Sequence, residues 1–409
     1  MNRVVITGTG AVTALGSDWP TVLAGLQARR NAVVRVSEWD SIEGLRCRLA
    51  SPVADFKLPE HYSRRQRRGM GRVAALAVRS AELALEQAGL LDDPVLGGGR
   101  TGVAFGSATG SPDALLEFVG TLVDNTTAGL NATSYVRMMS HTAAVNIGIF
   151  FGLKGRVLTT SSACTAGSQG IGYAFETIRC GAQDVMLAGG AEELSPTEVA
   201  VFDTLLATST RNDEPAATPR PFDRDRDGLV IGEGAATLVL ESLEHAVARG
   251  APILGEVVGY GTNMDGSHVT NPDQDSQARC LELALASAGL AADAISYVSA
   301  HGTATAAGDV SESHATRRVL GPVPISSLKS YLGHTLGACG AQEAWAALMM
   351  LREGWFAPTL NLEHVDPACA ELDYVTGDGR HLDGEYVMSN NFAFGGINTS
   401  LILRRGEAG

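Results

Sequence analysis

The chain has 409 residues, 45% hydrophobic and 19% charged, which excludes a disordered protein and suits a large α/β unit or two fused halves. A formal net charge of −14 excludes a general basic field for nucleic acid, and no apolar run is long enough to span a bilayer. The six cysteines form no Cys-x-x-Cys pair, which argues against a zinc ribbon or redox pair and suits a reducing cytoplasm.

The start, Met1 to Gly8, reads as an immediate strand rather than a secretory signal. Short apolar runs then alternate with helical patterns. Strands are predicted at Val4–Thr7, Thr101–Phe105, Val157–Thr160, Val185–Ala188 and Ala236–Leu240. A second set follows at Gly255–Tyr260, Ile295–Ser299, Val323–Ser326, Tyr386–Ser389 and Ser400–Leu403. Between them, helical patterns run through Val73–Ala88, closed by Gly89, and through Gly170–Arg179, Gln277–Ala288 and Ala341–Arg352. This alternation predicts an α/β fold with largely parallel sheets.

The two sets read as a diverged internal repeat with a boundary near Arg249–Pro252, dividing the chain into residues 1–250 and 251–409. Each set opens with a Gly-Thr element, Thr7-Gly8-Thr9-Gly10 and Gly259-Tyr260-Gly261-Thr262. Ser161-Ser162-Ala163-Cys164 is matched with Ser326-Ser327-Leu328-Lys329. The first glycine element lacks the third glycine of a dinucleotide fingerprint, Thr13 standing there, so no nicotinamide cofactor is expected. The polar stretch Thr210–Gly228 reads as a long loop, either solvated or capping an active site. His61–Arg72 holds five arginines and no acid, a local reversal of the chain's charge.

Three residues stand out for chemistry. In Thr160-Ser161-Ser162-Ala163-Cys164-Thr165-Ala166-Gly167, a strand runs through small residues into a helix. That puts Cys164 at a helix N-terminus, where the dipole lowers a thiol pKa; the alternative is a buried structural cysteine. His301, in His301-Gly302-Thr303, and His334, in Gly333-His334-Thr335, occupy similar strand-to-helix turns. Such turns gather on one sheet edge, so a thiol and two imidazoles there form a nucleophile and acid/base set. No carboxylate or cysteine stands at ligand spacing beside either histidine, so no catalytic metal is expected. His245, His268 and His314 lack this context. Lys329 lies just before His334, and Glu312 is its expected carboxylate partner. The segment Asn390-Asn391-Phe392-Ala393-Phe394-Gly395-Gly396-Ile397-Asn398 joins two late strands, and its Gly-rich loop with two aromatics can present backbone N–H groups and move.

Taken together, these motifs resemble the β-ketoacyl-(acyl carrier protein) synthases, of ketosynthase I and II type, over essentially the whole chain. The resemblance implies the thiolase-like fold: two duplicated βαβαβαββ halves, each with a five-stranded sheet, in five α/β/α/β/α layers. It implies that Cys164 accepts an acyl chain, that His301 and His334 assist decarboxylation of a malonyl unit, and that the N–H groups of Cys164 and Phe394 form an oxyanion hole. Lys329, Glu312 and Asp309 would be supports, and Phe392 and Phe394 would line and gate the channel. It implies no cofactor, although a structural monovalent cation would sit near Glu343, Ser389 and Asn390. The implied partners are an acidic acyl carrier protein, docked on Arg64, Arg65 and Arg68, and a second subunit, the same chain or a related one.

Ala306 stands where the family has Pro, Ala393 where it has Gly and Ile397 where it has Thr. These departures also resemble the ketosynthases of aryl polyene and xanthomonadin-like pigment pathways. The competing reading is a chain-length-factor-like partner subunit; such subunits lack the nucleophile, which Cys164 supplies.

Overall fold

The computed structural model describes residues 1–406. Ten strands carry the architecture. In the first half they are β1 (Val4–Val12), β2 (Thr101–Gly106), β3 (Val157–Thr160), β4 (Val185–Glu192) and β5 (Gly234–Ser242). In the second they are β6 (Gly255–Met264), β7 (Ile295–Ser299), β8 (Pro324–Ser326), β9 (Tyr386–Ala393) and β10 (Ile397–Arg405). Six helices lie between them: α1 (Arg72–Ala88), α2 (Thr142–Phe151), α3 (Ala166–Arg179), α4 (Gln274–Ala288), α5 (Ala306–Leu320) and α6 (Cys339–Glu353).

The sheet order β3-β2-β4-β5-β1 in the first half matches β8-β7-β9-β10-β6 in the second, so the repeat holds strand for strand. A two-residue edge strand, Asp373–Tyr374, extends the second sheet beyond β8. The two sheets are continuous rather than separate, because Val4–Ile6 of β1 pairs antiparallel with Gly255–Val257 of β6. Helices α3 and α6 lie against each other between the sheets, and the other four cover the outer faces, giving five layers. The expectation of largely parallel sheets is too strong. Three neighbouring strands pair parallel in the first half and, with the short edge strand, four in the second; β5 and β1, and their counterparts β10 and β6, join antiparallel. In the second half a three-residue turn after β9 leaves no room for a crossover helix.

The glycine pairs of the two opening strands have the same use. A Cβ on Gly8 would sit 2.2 Å from the Ala84 carbonyl of α1, and one on Gly259 2.6 Å from the Ala284 carbonyl of α4. These glycines seat a helix on the sheet and leave no phosphate cradle. The matching of Ser161–Cys164 with Ser326–Lys329 is corrected. The equivalent turns are Ala163-Cys164-Thr165 before α3 and Leu336-Gly337-Ala338 before α6, each a 3-10 turn opened by a non-glycine residue at positive φ, Ala163 at 50° and Leu336 at 45°. Lys329 lies in an extra helical turn, Lys329–Leu332, that the first half lacks.

The stretch Thr210–Gly228 is not a solvated loop. Thr218 to Asp223 are buried. Asp223 accepts hydrogen bonds from the Glu363 and His364 N–H groups, at 2.8 and 2.9 Å, and ties the first half to the second.

Candidate active site

The C-terminal ends of β3, β7 and β8 bring Cys164, His301 and His334 together at the floor of a cavity of about 450 Å³. The Cys164 sulfur and one nitrogen of each imidazole lie within 4.8 Å of one another, and all three side chains are buried. His334 Nε2 is 3.0 Å from the Cys164 sulfur. The Leu336 N–H donates to His334 Nδ1 at 3.2 Å, so Nδ1 is an acceptor and the ring proton is on Nε2, facing the sulfur. His301 is set the same way. Its Nδ1 faces the Lys329 ammonium at 3.2 Å and the Asn391 amide nitrogen at 3.5 Å, both donors. Burial and the nearby Lys329 charge hold both imidazoles well below the usual histidine range, so both are neutral at pH 7. The site therefore presents two Nε2–H donors.

The thiol departs from expectation. Burial pushes Cys164 up to about 12, outweighing Lys329 and the backbone N–H groups of Cys164 and Phe394, which favour the thiolate. Those same two N–H groups lie close to the sulfur.

The expected Lys329–Glu312 pair is also corrected. Lys329, only 2% exposed, pairs with Glu343 on α6. Glu312 accepts instead from the His301 and Gly302 backbone N–H groups, both at 2.7 Å, and pins the turn that carries His301. Asp309 accepts from Phe222 N at 2.7 Å and Ala304 N at 3.1 Å, so it ties the cap stretch to the same turn.

The side chains named for a monovalent cation do not assemble into a site. Both Glu343 oxygens are taken, one by Lys329 and the other by Asn391 Nδ2 at 2.7 Å. Ser389 and Asn390 are consecutive residues of β9, so their side chains project to opposite faces of the sheet. Their side-chain polar atoms are buried without partners.

Phe392 and Phe394 flank the floor, with the Phe392 ring centroid 6.0 Å from that of His301. Phe394 begins the three-residue turn of the β9–β10 hairpin, whose Gly395 and Gly396 have φ of 87° and 74°. Several contributors were not foreseen. Phe202 stacks between His334 and Phe394, and Cys339 donates to the Cys164 carbonyl at 3.2 Å. His268, set aside as an ordinary polar residue, lines the cavity mouth beside Asp265. Asn391 lies inside the segment singled out in the sequence, and what the structure adds is its contact with His301 and Glu343. Arg64, Arg65 and Arg68 are exposed and form no salt bridge among the described residues, whereas Arg72 pairs with Glu233.

Two family models match this chain: "Beta-ketoacyl synthase, N-terminal domain" over residues 1–246 and "Beta-ketoacyl synthase, C-terminal domain" over residues 254–363. It is 38% identical to a 3-oxoacyl-(acyl-carrier-protein) synthase 2 of Synechocystis sp., over 98% of both chains. Among solved structures, a β-ketoacyl synthase from Burkholderia phymatum superposes with a TM-score of 0.98 at 59% identity, covering 100% of each chain. The ishigamide ketosynthase/chain length factor gives 0.90 at 35% identity over 99% of each. A type II polyketide acyl-carrier protein in complex with its ketosynthase gives 0.89 at 30%, over 99% of this chain and 100% of that one.

Proposed function

The chain belongs to the β-ketoacyl synthase family, and from that premise we propose that it is a β-ketoacyl-(acyl carrier protein) synthase with Cys164 as its nucleophile. In the first half-reaction the Cys164 sulfur attacks an acyl thioester on the carrier. The acyl group passes to Cys164, and the thiol proton ends on the departing carrier thiol. The N–H groups of Cys164 and Phe394 hold the oxyanion of the tetrahedral intermediate. In the second, malonyl carrier loses CO2. The resulting enolate oxygen is held by the Nε2–H groups of His301 and His334, and its carbon attacks the Cys164 thioester. The 3-oxoacyl carrier leaves two carbons longer, and the Cys164 thiolate takes a proton from water.

The observation that carries this reading is that two neutral imidazoles gather at one sulfur, His334 with its Nε2 3.0 Å away and His301 with its Nδ1 held by Lys329. Neutral donors suit an enolate that forms where CO2 leaves, without first drawing in a counter-ion. Lys329 fixes the His301 tautomer, Glu343 balances Lys329, and Glu312 and Asp309 hold the His301 turn. Phe392 and Phe394 line the channel, with Phe394 on the mobile turn of a gate. The exposed row Arg64, Arg65 and Arg68 is the docking site for an acidic carrier protein. The working unit is a dimer, of two copies or with a chain-length-factor-like chain, and the location is cytoplasmic. Six free cysteines and the lack, among the described residues, of a helix able to cross a membrane fit that location. A partner-only role is disfavoured by the intact Cys164, His301 and His334.

Incubation with acyl carrier proteins bearing saturated or polyene chains, followed by intact mass spectrometry, tests the reading. An acyl adduct is expected on the native protein and none on Cys164→Ala. The chain that loads fastest separates fatty-acid from polyene elongation. No adduct with any chain would overturn the assignment.

A further inference from the structure

Asn391 sits where the buried ion pair meets an imidazole, and the proposed chemistry gives it no task. It lies on β9 and is fully buried. Its Nδ2 donates to Glu343 Oε2 at 2.7 Å and stands 3.5 Å from His301 Nδ1. One His301 nitrogen and one Glu343 oxygen are themselves within 4.8 Å of each other. The amide nitrogen is therefore interposed between a carboxylate and an imidazole.

The amide can face only one way. Turned over, its carbonyl would meet the Glu343 carboxylate, acceptor against acceptor. As it stands, Oδ1 is buried without a partner, in space that Gly340 leaves open: a Cβ on Gly340 would come within 2.7 Å of it. An unpaired buried carbonyl is unfavourable. Its retention points to the nitrogen as the part of this side chain in use.

What that nitrogen prevents follows from hydrogen-bond chemistry. A carboxylate beside an imidazole nitrogen draws the ring proton to that nitrogen. If Glu343 reached His301, the proton would sit on Nδ1, and Nε2 would lose the hydrogen that the enolate oxygen needs. Lys329 occupies one Glu343 oxygen and Asn391 the other. With both oxygens engaged, Lys329 keeps hydrogens free to turn toward His301 Nδ1. At 3.5 Å Asn391 does not itself hold the ring; it keeps the carboxylate away. The amide nitrogen has two hydrogens, one for Glu343 and one for the side facing His301. A carboxyl in its place has one at most.

We propose that Asn391 insulates His301 from Glu343, as a positioning residue that keeps the His301 proton on Nε2. The proposal rests on the reading that His301 holds the enolate during decarboxylation, and it adds how that site keeps its tautomer.

Asn391→Asp tests it, being nearly isosteric while putting an oxygen where the nitrogen stands. Ionised, that oxygen has no proton to offer; protonated, its one proton goes to Glu343. In both states it competes for the Lys329 hydrogens and offers Nδ1 an acceptor. CO2 release from malonyl carrier should fall about a hundredfold, the scale for loss of one oxyanion donor, while acyl loading of Cys164 changes by about twofold at most. Nitrogen NMR of protein carrying isotope-labelled histidine should show His301 Nδ1 bare in the native chain and protonated in the variant. Asn391→Leu, which only removes the donor, should show the same split with CO2 release lowered about tenfold, and it decides if Asn391→Asp does not fold. Native-like CO2 release from Asn391→Asp, a bare Nδ1 in that variant, or an equal fall in loading and CO2 release would each overturn the proposal. Native protein that never loads Cys164 would instead overturn the ketosynthase reading, and the spectra, which need no carrier, still test the insulation of His301.

Discussion

Lys329 is the residue on which charge and tautomer meet. Its ammonium is buried, paired with Glu343, and turned toward His301 Nδ1. Replacing it with methionine leaves Glu343 buried and unpaired, a loss of about 3–5 kcal/mol of stability. Lys329→Met combined with Glu343→Gln should regain most of that in denaturant titrations. It should still release CO2 from malonyl carrier far more slowly than the native enzyme, because His301 is no longer held in the Nε2–H form. Equal CO2 release by the double variant would show that Lys329 is structural only. The thiol makes a second prediction at this scale. With Cys164 pushed up to about 12, its thiolate fraction grows about tenfold per pH unit across the neutral and mildly alkaline range. Alkylation of Cys164 by iodoacetamide, followed by mass spectrometry, should climb steadily from pH 7 to pH 10 without levelling. A plateau near pH 7 would mean that the dipole and the N–H groups outweigh burial.

Among the elements, the β9–β10 hairpin concentrates the departures from family pattern. Ala393 and Ile397 form its last rung, so the two substitutions face each other across the turn. Gly396 takes a positive φ, and a Cβ there would come within 2.0 Å of the Asp265 carboxylate. Gly396→Ala should therefore shift the turn and Phe394 with it. Condensation kcat/KM should drop more than tenfold while the thermal midpoint moves by only a few degrees, since the strained segment is short. Unchanged kinetics would show that the turn is not a gate. Ala306 is milder: it opens α5 at a position where proline also fits, so it leaves the folded geometry alone.

This scale also shows what the sequence could and could not reveal. Strand cores such as Val157–Thr160 and Ile295–Ser299 were legible to the residue, because apolar runs bounded by turns leave little choice of register. Cys164, His301 and His334 were legible because turn chemistry and helix starts are local. The Glu343 partner of Lys329 was not, since the pairing depends on how α6 lies against the extra turn at Lys329–Leu332. Nor was the high thiol pKa, because burial is a sum over the whole fold while the helix dipole can be read from neighbours.

For the whole molecule, the charge pattern sets the encounter with a partner. Against a net charge of −14, Arg64, Arg65 and Arg68 form an exposed basic row, the proposed docking point for an acidic carrier. Replacing all three with glutamate should raise KM for acyl carrier protein about tenfold or more at low salt, and less at high salt. Loading from a short pantetheine thioester should stay unchanged. Equal effects on both donors would place the defect in the fold rather than at docking. The seam between the halves has a separate consequence. Arg3 and Gly406 line one crevice, together with Ala251 and Pro252 of the connection between the two sheets. Both ends of the described chain and the junction of its two halves thus lie at one place on the surface. The order in which the halves are strung is then a matter of genetics rather than of architecture. A chain reopened between Arg249 and Pro252, and closed by a short linker from Gly406 to Arg3, should assemble the same thiol and imidazoles and load the same acyl chains.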